Sequence, residues 1–144
     1  MKIRLATILL LFALGNILAQ DTAAELKKLD GTWTPIAGEV AGTKFPPAEL
    51  KAISLTITGD KYTVTFGKVV DQGTVKIDPA AKPRTMDIVG TEGPNKGKTM
   101  LAIYELDKDT LRVCYDLTGK SRPKEFATAK DQPYFLAVYE RTKK

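Results

Sequence analysis

The sequence predicts an all-β fold, an eight-stranded antiparallel up-and-down barrel preceded by a short N-terminal helix. Three observations predict it. From Thr32 onward apolar and polar residues alternate with period two in eight separate segments, the pattern of strands buried on one face. Glycine, aspartate and proline punctuate the gaps, and most gaps are so short that only antiparallel neighbours can be joined across them. The segments recur at spacings of roughly 8 to 16 residues, as in barrels and sandwiches. Closing the sheet removes the exposed edges that invite aggregation, and eight strands enclose a space that side chains just fill or that holds one small molecule.

Ahead of the strands stands a different kind of sequence. Lys2 and Arg4 precede the apolar run Leu5 to Leu14, and Gly15-Asn16-Ile17-Leu18-Ala19 follows. This is the charged, apolar and small-residue order of a secretory signal peptide, with cleavage expected after Ala19. A membrane span needs about 20 apolar residues, whereas Asn16, Gln20 and Asp21 cut this run short. The expected organisation is a leader over 1–19 and one domain over 20–144, secreted or periplasmic, with no membrane span once the leader is gone. At 144 residues, 43% hydrophobic and 27% charged, the chain has globular proportions and enough material for one core.

In chain order, Thr22 to Leu29 carries good helix formers, with Asp21 or Thr22 as a cap and Leu26 and Leu29 on one face. This helix is expected to plug one end of the barrel. Thr32 to Val40 is the first strand, ended by Ala41-Gly42-Thr43 and by Pro46-Pro47, where consecutive prolines forbid ladder pairing. Pro47 to Leu50 is expected to form a brief helical turn. Ile53, Leu55 and Ile57 alternate with Ser54, Thr56 and Thr58, and after the turn at Gly59-Asp60 the residues Tyr62, Val64 and Phe66 alternate with threonines. Val69 to Ile77 returns, with Gly73 marking a bulge or bend. Arg84 to Val89, Met100 to Leu106, Leu111 to Tyr115 and Tyr134 to Arg141 complete the set. Leu117 to Pro133 is a long link, expected to run over the surface or across a barrel mouth and to be pinned by Phe126.

Gly31-Thr32-Trp33 holds the only tryptophan and resembles the Gly-x-Trp motif that opens the first strand of lipocalins, where the indole packs at the closed end of the barrel. Arg141, on the last strand, matches the lipocalin arginine that lies over that tryptophan, so the resemblance implies a barrel-closing pair of Trp33 and Arg141. A fuller likeness runs through Leu29 to Trp33, Pro46 to Leu50, Gly59 to Tyr62, Gly93 to Thr99, Ile103 to Leu106 and Asp109 to Leu111. These stretches resemble the small lipocalin-like domain abundant in planctomycete bacteria, an uncharacterised family that supplies a fold and no activity. The lipocalin (calycin) likeness implies a small hydrophobic ligand. The chain lacks the paired cysteines of many secreted lipocalins and is shorter than most.

The residue inventory excludes much chemistry. There is no histidine, so a Ser-His-Asp triad, a Cys-His pair and imidazole metal sites are out. Serine occurs only at Ser54 and Ser121, and the single Cys114 lies between apolar neighbours, as a buried inert thiol would. Gly93 and Gly97 enclose three residues where a phosphate-binding loop needs four, and a strand follows in place of a helix. Asp107 and Asp109 flank a turn, without calcium-loop spacing, and Asp21 with Glu25 is the other carboxylate pair. No enzyme, metal site or cofactor is expected. Lys2 and Arg4 are two of the 22 basic residues set against 17 acidic ones, so the domain alone carries a net +3. That mild, dispersed excess argues for solubility rather than nucleic-acid binding, and a monomer is expected.

What remains is binding. Tyr62, Phe66, Tyr104 and Tyr115 stand on different strands and, turned inward with Met86, would line one apolar cavity with hydroxyl handles. The alternative is that they fill the core. The expected function is therefore non-catalytic binding of a small, mainly apolar molecule inside the barrel, and the alternative is a filled-core interaction module of the cell envelope. An empty cavity of about 300 Å³ or more would favour the first.

Overall fold

The computed structural model describes residues 21–144; the expected leader over 1–19 and its cleavage after Ala19 lie outside the described residues. Residues 21–29 are helical (α1), so Asp21 and Thr22 stand within the helix. The strands are β1 (Gly31–Val40), β2 (Thr43–Lys44), β3 (Ile53–Thr58), β4 (Lys61–Phe66), β5 (Val69–Asp78), β6 (Arg84–Glu92), β7 (Thr99–Asp107), β8 (Thr110–Asp116) and β9 (Tyr134–Arg141), with a helical turn α2 (Pro47–Leu50) before β3. β2 is a two-residue return on the end of β1. The other eight strands pair antiparallel in the order β1-β3-β4-β5-β6-β7-β8-β9, and β9 pairs back onto β1. The molecule is thus a closed eight-stranded antiparallel barrel with a short helix at the N-terminal side, as the alternation predicts. Among the described residues no helix is long and apolar enough to cross a membrane.

Two irregularities adjust the wall. In β1 the register against β9 shifts between Pro35 and Ala37. Proline offers no amide to the ladder, and Ile36, the extra residue of the bulge, is left half exposed. The second shift falls between Gln72 and Gly73 against β6, at the predicted bulge. A Cβ on Gly73 would sit 1.9 Å from the Val89 carbonyl oxygen and 2.7 Å from the Tyr62 ring, so only glycine lets that ring lie against β5.

One end of the barrel is sealed by α1. Its Leu29 and the indole of Trp33 are fully buried, and the indole Nε1 donates to the Leu29 carbonyl at 2.9 Å. Arg141, paired with Trp33 across β1 and β9, lays its guanidinium 4.2 Å from the indole ring centre. The same guanidinium donates to the carbonyls of Lys28 (2.6 Å) and Asp30 and to Asp109 (3.0 Å). A cation therefore satisfies carbonyls that the end of a helix leaves orphaned. The expected barrel-closing pair is in contact.

At the other end the chain leaves the barrel by the 117–133 link. Of the two expected courses it takes the surface one, crossing the outer face of β6 to β8. Asp116, buried at the link's start, accepts from the Thr118 amide (2.8 Å) and hydroxyl (2.7 Å) and from the amides of Lys120 (3.0 Å) and Ser121 (2.7 Å). Arg122 then donates to the Ala102 and Met86 carbonyls and to Asp87. Phe126 lies under the Arg112 guanidinium, 4.2 Å away, so the link is held more by Asp116 and Arg122 than by Phe126 alone. Beneath it Ile103 and Cys114, register partners on the outer face of the sheet, are fully buried, which is why Met100 to Leu106 reads as a continuous apolar run.

Candidate functional site

Inside the barrel, between the α1 seal and the opposite end, lies a cavity of about 230 Å³. The inward positions of β3 to β9 build its wall, chiefly Leu55, Ile57, Val75, Ile88, Leu111 and Val113. These are the residues whose period-two alternation faces them inward. Near the open end the lining includes Phe66, half exposed at its rim, and Tyr115, whose ring lies 5.1 Å from that of Phe135. The volume is below the roughly 300 Å³ at which drug-sized pockets begin: the barrel is neither filled nor roomy.

Four of the five predicted lining residues, Tyr62, Phe66, Met86 and Tyr115, come together on this cavity. Tyr104 does not join them. It is fully buried near the sealed end, where its hydroxyl donates to Glu25 of α1 at 3.2 Å. Burial, reinforced by the Glu25 carboxylate, pushes the Tyr104 hydroxyl well above the usual phenol range. Glu25 is itself buried, and it also takes Arg84 at 2.9 Å and Lys28 at 3.6 Å. Tyr104 and Glu25 thus latch the helix onto the barrel floor.

The cavity has polar members that the sequence reading left out. Asp71 of β5 lies on its wall, and its carboxylate accepts from the Tyr62 hydroxyl (3.2 Å), the Asn95 amide (3.0 Å) and the Asn95 side chain (2.9 Å). Asn95 belongs to the β6–β7 turn, the glycine- and lysine-rich loop that departs from the phosphate-binding pattern. Its two contacts with Asp71 fold that turn back against β5. Tyr139 is the third addition, a deep lining residue on β9 that is 8% exposed. Asp71 was readable by parity: it precedes Gly73, Val75 and Ile77 on the inward side of β5. A charged residue on an apolar face is the informative exception. Asn95 carries no such signal, because its partner is set by how the turn folds.

The electrostatics follow from burial. Tyr62 is raised by burial and then by the adjoining Asp71 charge, and Tyr115 by burial and then by Tyr139, Asp71 and Tyr62. The Tyr139 hydroxyl is pushed up to about 12 by burial. All three phenols are therefore neutral donors at physiological pH. Cys114 is not in the cavity; burial under the link raises its pKa against a weaker opposing effect of the Ala127 backbone, which keeps it a poor nucleophile. Among the described residues no group of three or more His, Cys, Asp or Glu side chains stands together to hold a metal ion.

Fold and site together define a closed eight-stranded barrel with a small, mostly apolar interior cavity, lipocalin-like in general terms. A solved structure with a similar course is the crystal structure of a DUF4847 family protein from Bacteroides vulgatus, with a TM-score of 0.51 and 13% sequence identity. The match covers 84% of this chain and 99% of that one, and at that identity it speaks for the fold alone. No protein-family model matches the chain, and no curated protein matches it.

Proposed function

We propose that this protein is an exported, non-catalytic binding protein that holds a small, mainly apolar molecule inside its barrel. The observation that carries this reading is the cavity: a space of about 230 Å³, walled by aliphatic and aromatic side chains with few polar groups, beside rim residues that reach solvent. That composition is the usual make-up of a small-molecule site. The absence of histidine from the whole chain favours a carrier over a catalyst. The leader-like residues 1–19 favour a secreted or periplasmic location, and the motif likeness favours membership of the small planctomycete-type lipocalin-like family. We place the protein in that setting as a monomer without nucleic-acid partners.

A second reading has one observation in its favour. Phe66, Val69 and Val70 are each 45–50% exposed on the β4–β5 hairpin, and exposed apolar clusters mark interaction surfaces. The two readings part under native mass spectrometry of protein purified from its own host. A carrier yields a species heavier than the polypeptide by one small molecule, released on activation; the bare polypeptide mass in repeated preparations supports the interaction module.

A further inference from the structure

The chemistry of the cavity wall narrows what can enter it. Among its lining residues the single carboxylic side chain is Asp71; no lysine or arginine is present. Asp71 is 9% exposed, its three hydrogen bonds come from neutral donors, and no cation lies within ion-pair distance of it among the described residues. The carboxylate is hydrogen-bonded but not ion-paired, so an anion brought into the same low-dielectric space is repelled, while a cation gives up its hydration for a carboxylate whose acceptor positions are nearly full.

The remaining polar atoms make the opposite demand. The hydroxyls of Tyr115 and Tyr139 donate to no described residue. Among the described residues no side-chain nitrogen or oxygen that is shut off from open space lacks a partner. These two hydroxyls therefore face open space, and for a cavity-lining residue that is 8% exposed, as Tyr139 is, that space is the cavity. Tyr115, Tyr139 and Asp71 all line this one cavity. A phenol has one proton to give, and a buried donor without an acceptor is costly. Asp71, with three of its roughly four acceptor positions taken, has little left to offer both.

Building on the carrier reading above, we infer that the cavity selects an uncharged, mainly apolar molecule bearing a hydrogen-bond acceptor such as a carbonyl. Tyr115 and Tyr139 donate to that acceptor, and Asp71 turns away carboxylates and other anions. The apolar remainder of the molecule lies against the aliphatic wall.

Four phenylalkyl probes of similar size test this by calorimetric or NMR titration at about pH 7, where the acid and amine are charged: butyrophenone, butylbenzene, phenylbutyrate and phenylbutylammonium. The double variant Tyr115→Phe/Tyr139→Phe is expected to weaken butyrophenone about tenfold, the size of one to two hydrogen bonds, while butylbenzene binding holds or tightens. Phenylbutyrate should bind at least about tenfold more weakly than butyrophenone, and Asp71→Asn should recover much of that loss. Thermal midpoints near the parent value establish that each variant is folded. An unchanged ratio of butyrophenone to butylbenzene in the double variant overturns the acceptor site. Phenylbutyrate or phenylbutylammonium binding more tightly than butyrophenone overturns the charge selection. Either result leaves the carrier reading standing; binding of none of the four overturns both.

Discussion

The two ends of the barrel handle polar groups in opposite ways. At the sealed end every strong donor is matched: the Trp33 indole to Leu29, the Arg141 guanidinium to two carbonyls and Asp109, Tyr104 and Arg84 to Glu25. In the cavity above it, Tyr115 and Tyr139 keep hydroxyls that bind no described residue, against a wall that is mostly apolar. The sealed end is organised for stability. The cavity leaves hydrogen-bonding capacity unspent, as a site awaiting a ligand does.

Substitutions can break or sharpen this contrast. Trp33→Ala should cost the most, about 3 to 5 kcal/mol, because it empties a fully buried site; a urea denaturation midpoint lowered accordingly is the check. Arg141→Met comes next at about 2 to 3 kcal/mol, from the lost cation–π contact and charge-assisted hydrogen bonds, read from the same titration. Its loss should exceed that of an exposed pair such as Arg112 with Glu105, for which surface ion pairs set a ceiling of about 1 kcal/mol.

Acid should act through Asp116, at the mouth-side start of the link. Burial raises its pKa, but four hydrogen bonds outweigh that and leave it below the usual carboxylate value. A folded pKa below the unfolded one, about 3.9, means stability fully present above that value and lost as pH falls through the folded pKa. Thermal melts taken from about pH 5 downward should therefore fall more steeply for the parent than for Asp116→Asn. The smallest effect belongs to the cavity: Tyr139→Phe should shift stability by no more than about 0.5 kcal/mol, since no hydrogen bond is lost. A loss of about 2 kcal/mol there, read by urea titration, would mean that the hydroxyl has a structural partner and the contrast between the ends is false.

The strands were legible because one face of each is buried and side chains alternate: Ile53-Leu55-Ile57 and Tyr62-Val64 announce both element and face. The meeting of Trp33 with Arg141 was legible through motif likeness, though they stand more than a hundred residues apart. Tyr104 was placed on the right side of its strand and the wrong level of the barrel, because alternation gives the face of a residue and not its height. Glu25 was seen as half of an acidic pair with Asp21, whereas its partners, Arg84 and Tyr104, arrive from distant strands. The surface course of the link was expected and its Arg122 anchor was not, for a related reason: Arg122 grips backbone carbonyls, and carbonyls leave no trace in a sequence.

The position of Trp33 also decides what light can report. As the sole tryptophan, shut beneath Leu29 and Arg141 and outside the cavity lining, it makes near-ultraviolet emission a gauge of whether the base of the barrel holds. Occupancy by the proposed ligand would be written instead in the tyrosines, so the resonances of Tyr115 and Tyr139 are where such a guest would announce itself.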